Sequence, residues 1–187
     1  GLSIANLERR MRPGFRSLGF EGSQAGFLGA DDDLRETMAR DNDLIKALGL
    51  SHAELAENLK LIAELSDVWG VERYVAADGG TYTVTATYYH GFQYSPMGDD
   101  TRGSADYTLV NTATGAGLPL PKLNAHLIER YGFYQGPGST YRTAPEHIIA
   151  TFDGLLERAG GQDRLDAAVA EVNARYGWSE PGPVEIA

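Results

Sequence analysis

The chain has no cysteine, few positive charges, and no unbroken apolar run of the roughly 18 residues that a membrane-spanning helix needs. The first absence removes disulfide scaffolds, thiol nucleophiles and Cys-ligated zinc together. The missing apolar run, with no charged-then-apolar leader ahead of the first helix, predicts a soluble protein with the cytoplasm as its default compartment. Gly1 rather than Met opens the chain, which leaves a removed leader open. The charge balance bears on partners: 16 Lys and Arg against 26 Asp and Glu give a formal net charge of -10. Affinity for nucleic acid rests on cations that displace counterions from phosphates, so no nucleic-acid partner is expected. Also missing are a Gly-x-Ser-x-Gly elbow, a Gly-Lys-Ser/Thr phosphate loop and a dinucleotide fingerprint. The common hydrolase and nucleotide-binding classes lose their support, and no cofactor is expected.

What is present reads as one globular domain over residues 1–187. The length suits a single core, and 42% hydrophobic with 22% charged residues is ordinary for a folded chain. LSIANLERRM fits a short amphipathic helix with Leu2, Ile4, Leu7 and Met11 on one side and Ser3 or Asn6 as a cap, ended by Pro13-Gly14. Around that stop, Arg9, Arg10, Arg12 and Arg16 with Phe15 form a basic patch suited to an anion; more simply, they pair with Asp31, Asp32 and Asp33. Glycines at 14, 19, 22, 26 and 29 alternate with Phe15, Leu18, Phe20, Phe27 and Leu28, predicting an irregular stretch packed over the core. Asp31 to Asp33 then start a helix to about Leu48, with Leu34, Met38, Ile45 and Leu48 inward and Gly49 as its stop. Ser51 and Glu54 have capping-box spacing for a helix over 52–66, with Leu55, Leu59, Ile62 and Leu65 on its apolar side. LGLSHAELAENL has the look of a helix-turn-helix approach, but KLIAELSDVWGV follows it where a recognition helix should stand.

Near Trp69 the apolar spacing changes from three-to-four residues to two. VERYVAA, Asp78-Gly79-Gly80 and TYTVTATYYHGF predict a β-hairpin, with Tyr82, Val84, Ala86 and Tyr88 on one face and Thr81, Thr83, Thr85, Thr87 and Tyr89 on the other. SPMGDDTRGSAD reads as a loop, DYTLVNT as a strand, and LPLP as a short extended piece. Helices are expected over 122–131, with Gly132 as terminator, over 147–158 behind a Thr143/Glu146 capping box, and over 163–176, before a loose Pro-Gly-Pro tail from 178. The fold class is therefore α+β: a helical part over 1–69, an antiparallel sheet of three or four strands over 70–121 covered on one face by helices, and a helical part over 122–177.

Of the histidines His52, His90, His126 and His147, only His126 has a carboxylate at helical pair spacing, Glu129 three residues on. A single pair is too little for a metal site, and none is expected. The simple reading gives His126 a capping role and pairs Glu129 with Arg130 or solvent. Asp99 to Asp106 lacks the acidic spacing of a calcium loop and holds Arg102, so it reads as a solvated turn. Polar chemistry concentrates instead in HLIERYGFYQGPGSTYRTAPEH, His126 to His147. Arg142 could grip a carboxylate or phosphate, His126 exchange a proton, and Tyr131, Tyr134 and Tyr141 line a ligand pocket. The plainer account pairs Arg142 with Glu129 or Glu146 and leaves the tyrosines to seal the sheet edge. Over His126 to Arg142 the segment resembles a pattern in uncharacterised bacterial proteins, a His-Leu-Ile helix followed by a Gly-Phe-Tyr loop and a Tyr-Arg. That resemblance implies no activity.

Two functions are thus expected in order of preference. The first is a non-catalytic binding or protein-interaction domain that uses the Thr and Tyr face of the hairpin with the Tyr-rich loop. The second is a small enzyme acting on an anionic substrate through His126 and Arg142. The enzyme reading requires His126, Glu129 and Arg142 to converge; the binding reading requires an exposed aromatic patch on the hairpin or loop. An open strand edge would also invite a second copy of the chain.

Overall fold

The computed structural model describes residues 3–17, 20–21, 26–65 and 72–179. Helix α1 (Ile4–Met11) is capped by Ser3, whose side chain accepts from the Asn6 N–H, and it buries Met11 while Ile4 stays exposed. Two short pieces, β1 (Arg16–Ser17) and β2 (Phe20–Glu21), pair with each other. Instead of the Asp31 to Asp33 carboxylates, Arg12 donates to the carbonyls of Gly29 and Asp32, both at 2.6 Å, and Arg10 at the end of α1 donates to that of Pro96. Loop backbone that would otherwise lack partners is satisfied this way. Asp33 caps α2 (Leu34–Ala47), and Ser51 with Glu54 makes the reciprocal capping box of α3 (His52–Leu65). The spacing change at Trp69, the glycines at 19 and 22, and the Pro-Gly-Pro tail lie outside the described residues.

The sheet is an antiparallel meander in the order β3 (Arg73–Ala77), β4 (Gly80–Tyr94), β5 (Arg102–Asn111) and β6 (Gly117–Pro121). Asp78 and Gly79, both at positive φ, form the two-residue hairpin turn that matches strand twist. Opposite pairs Val84/Leu109 and Ala86/Tyr107 continue to Leu118 and Leu120 on the inner face, while Thr81, Thr85, Thr87 and Tyr89 stand exposed on the outer one. Both central strands outlast the sequence expectation. Residues 102–105, read as loop, belong to β5, and β4 carries a bulge in which the five steps from Tyr88 to Gln93 face only the two from Ala105 to Gly103. The bulge hides from period-two reading because His90-Gly91 breaks the alternation.

Helix α4 (Lys122–Tyr131) sits between two cores. Ala125 and Ile128 join the large core under the sheet, and Leu123 and Leu127 join a smaller one with Met11, Phe27, Leu28, Leu34 and Phe133. The expected single helix over 147–158 is instead two, α5 (Pro145–Thr151) and α6 (Asp153–Arg158), broken at the extended, fully buried Phe152. Long-range partners hold the break: Asn111 donates to the freed Thr151 carbonyl, and the Tyr82 hydroxyl accepts from the Asp153 N–H. The expected Thr143/Glu146 box is also absent. Ala144 is the cap residue, Thr143 bonds Asn124, and Glu146 turns to Arg40. Helix α7 (Gln162–Tyr176) packs on α2. Among the described residues no helix is long and apolar enough to cross a membrane.

Gly132 ends α4 at φ +63, where an added Cβ would lie 2.9 Å from His52 Nε2; Gly49 ends α2 at φ +68 with open space around it. Both positions strain a side-chain residue by roughly 1–2 kcal/mol, but only Gly132 adds a clash with a fixed ring. Gly132→Ala is expected to lower the unfolding free energy in urea titration by about 1–3 kcal/mol more than Gly49→Ala. Equal losses would contradict the packing described.

Candidate functional site

The side chains singled out by sequence go to different partners. His126 Nε2 lies 2.7 Å from Asp99 Oδ2, and the Tyr131 hydroxyl donates to the same oxygen at 2.6 Å. Asp99 is partly buried, which would raise its carboxyl; the hydrogen bonds from Tyr131, His126 and the Thr101 N–H outweigh this and hold it far below the usual carboxylate range. Glu129 pairs with Lys60, not with Arg130, in a half-exposed contact. Arg142 pairs with Asp41, not with Glu129 or Glu146. His126, Glu129 and Arg142 therefore do not share a pocket, and the proton-exchange pair His126 and Arg142 is not assembled. The tyrosines divide in the same way: Tyr131 serves Asp99 and is half-buried, Tyr134 is buried against His52, and Tyr141 is exposed. Among the described residues no group of three or more His, Asp or Glu could hold a metal ion.

Two places carry concentrated chemistry instead. The first is buried. Arg40 and Asp41 from α2 meet Glu146 from α5, Asn173 from α7, and Arg142 from the loop that follows α4. Arg40 donates to Asn173 Oδ1 from Nε and from one terminal nitrogen, to Asp41 at 3.0 Å, and bidentately to Glu146. Arg142 holds both oxygens of Asp41 at 2.8 Å and the Gln135 carbonyl at 2.7 Å. The Trp178 ring lies 4.8 Å from the Arg40 guanidinium and 5.6 Å from that of Arg142. Burial pushes the Glu146 carboxyl up, but its bonds to Arg40 and the charges of Arg40 and Arg142 prevail and keep it below its ordinary value. A cavity of about 380 Å³ borders the cluster, lined by Arg142, His147, Leu118, Pro137, Ala144 and Trp178 among others.

The loop between α4 and α5 is fixed from both sides. Asn124, buried on α4, donates to the Tyr141 carbonyl and Thr143 Oγ1 and accepts from Gln135 Nε2. Gln135 itself is held at φ +72, a conformation rare outside glycine, which the bonds to Arg142 and Asn124 over-determine. The Gly138 N–H donates to Asp32 Oδ2 and the Gly136 N–H to the Phe27 carbonyl, docking the Gly-Pro-Gly turn on the N-terminal loop.

The second place is on the surface. At the β4 bulge, Tyr89 (53% exposed), Phe92 (51%) and Tyr94 meet Tyr141 from the loop around a groove of about 410 Å³, with Arg16, Lys122 and Asp106 in its lining. The Arg102 guanidinium lies 4.3 Å over the Phe92 ring, and the Tyr89 hydroxyl donates to Asp106 at 3.1 Å. Burial, only partly offset by Tyr89, raises the Asp106 carboxyl above its ordinary value. Sequence reading found Tyr89 and Tyr141 but not their meeting, because the bulge that turns Phe92 toward Tyr141 follows from register. Of the buried cluster, Asp41 leaves a signal in the sequence. Asp41 stands seven residues after Leu34 and three before Leu44, so a charge interrupts the apolar stripe of α2.

His52 and His147 supply a pH test. Burial lowers the pKa of each from 6.5, and for His147 the charges of Arg142 and Arg40 add to the effect against Glu146. For His52, neutrality fixes a tautomer in which Nε2–H donates to Asn42 Oδ1 and Nδ1 accepts from the Tyr134 hydroxyl. A group with a depressed folded pKa leaves stability unchanged above its unfolded value; below that value the unfolded chain takes up the proton first, and stability falls. Between about pH 7.5 and about pH 5.5 the native protein is expected to lose more unfolding free energy than His147→Asn, measured by urea titration at each pH. An equal or smaller loss in the native protein would contradict the neutral imidazole.

No family model, curated protein or solved structure matches this chain, so the functional reading rests on the geometry above.

Proposed function

We propose that this protein is a non-catalytic binding domain whose recognition surface is the aromatic groove at the bulged end of the sheet. The observation that carries the reading is the meeting of Tyr89, Phe92 and Tyr94 from one strand with Tyr141 from the clamped loop around one concavity. Rings of this kind offer large contact area at little entropic cost, and exposed clusters of them mark interaction surfaces. Rigidity supports the reading too, because Asn124 and Arg142 fix the loop that presents Tyr141, so little ordering is left for the moment of binding.

The occupant that suits the groove is an extended segment of a partner protein with apolar side chains flanked by acidic ones. Beside Asp106, Lys122 in the lining and Arg102 on Phe92 supply cations here in a chain whose formal net charge is -10. Opposite charge on the partner would speed encounter and fix orientation. The enzyme alternative has less support, since His126 is turned to Asp99 while Arg142 is held by Asp41, so the proposed proton exchanger and anion clamp do not face one ligand.

The test is selection of binding peptides from a random library, followed by affinity measurement on variants. Phe92→Ala and Tyr141→Ala are each expected to weaken the selected peptides by about tenfold or more, the scale of an interface hot spot. Tyr74→Ala, which removes an exposed tyrosine on β3 outside the groove, should leave affinity unchanged. A library that yields no binder, or binders equally sensitive to Tyr74, would contradict the proposal.

A further inference from the structure

The cavity beside the buried ion cluster has polar groups that the cluster leaves over. A guanidinium carries five N–H donors, arranged as an end edge between the two terminal nitrogens and a side edge between Nε and one of them. Arg40 has a protein acceptor for every donor: Asn173 Oδ1 takes the side edge, while Asp41 and Glu146 take the rest. Arg142 does not. Asp41 takes its end edge and the Gln135 carbonyl takes the second hydrogen of one terminal nitrogen. Its side edge, Nε–H with one terminal N–H, has no acceptor among the described residues. That pair of parallel donors is the geometry that receives a carboxylate bidentately.

His147 is the second such group. Its ring lines the same cavity and has no hydrogen-bond partner among the described residues. Apart from Arg40, Glu146 and Ser179, the other walls are apolar: Leu118 and Pro119 from β6, Pro137 from the turn, Ala144 before α5, and the Trp178 ring across one side. At about 380 Å³ the space lies near the lower end of small-molecule sites, roughly 300–1,000 Å³. The Arg142 side chain is only 10% exposed, so a bond made there is shielded from water.

We infer that this cavity binds a small organic carboxylate with a flat apolar body, its carboxylate on the side edge of Arg142 and beside His147, its body against Trp178, Pro119 and Pro137. Inorganic phosphate fits less well. Arg40, Arg142, Asp41 and Glu146 sum to zero charge, which leaves no excess cation to neutralise a dianion, and most of the wall is apolar. The site uses none of the groove's residues, so either can fail while the other stands.

Trp178 reports on its own cavity once the second indole of the chain is removed by Trp69→Phe. In that background, benzoate is expected to change Trp178 fluorescence saturably, with benzamide and inorganic phosphate at least about tenfold weaker, because neither offers a planar carboxylate. Arg142→Lys keeps the charge and removes the side edge, and should weaken benzoate about tenfold or more. Should that variant fail to fold, Ala144→Leu fills the cavity without touching the ion cluster and should abolish the response while circular dichroism stays native. No saturable response to benzoate, an equal response to benzamide, or an undiminished one in Ala144→Leu would overturn the inference.

Discussion

Two guanidiniums and two carboxylates closed away from water decide how the halves of this protein meet. Arg40 and Asp41 come from α2, Glu146 from α5 and Arg142 from the loop, and Asn173 of α7 completes the set. Each charge removed from water costs several kcal/mol, so the arrangement holds only when every partner is in place. Its contribution is therefore less net stability than a demand for one geometry. Hydrophobic side chains of the same volume could fill the space about as well, but they would not specify which face of α2 meets which end of α5. From that demand follow the position of the Gln135 carbonyl, the course of the loop over the turn at Pro137, and the placement of Tyr141 at the groove.

The same cluster divides the chemistry of the molecule. One arginine is used up by protein acceptors, and the other, which lines a cavity, keeps a carboxylate-shaped edge with no acceptor among the described residues. At the surface the sheet supplies what a smooth antiparallel ladder could not: a bulge that lifts Tyr89 and Phe92 out of register and faces them toward the loop. Both features depend on α4, which stands between the two cores and holds the loop through the buried amide of Asn124.

Local physics made much of this legible in the sequence. Helix α4 with its glycine stop, the Asp-Gly hairpin, the box at Ser51 and Glu54, and the one-sided hairpin face all follow from spacing within a few residues. What was not legible depends on partners far along the chain. Phe152 breaks a helix whose pattern is continuous because Asn111 and Tyr82 satisfy the freed backbone groups. Thr143 and Glu146 have capping spacing, yet Asn124 and Arg40 draw them away. His126 and Arg142 lie in one polar segment but point to Asp99 and Asp41. A concentration of reactive side chains in sequence says where polar contacts will be dense, not which of them share a pocket.

The most direct measurement is a double-mutant cycle between Arg40→Met and Glu146→Leu, read as unfolding free energy in urea. Each single change leaves a buried charge without its partner and is expected to cost about 3–5 kcal/mol, while the double variant recovers at least about 2 kcal/mol of the summed loss. Single losses under about 1 kcal/mol that simply add in the double variant would show that the cluster does not govern how these elements meet.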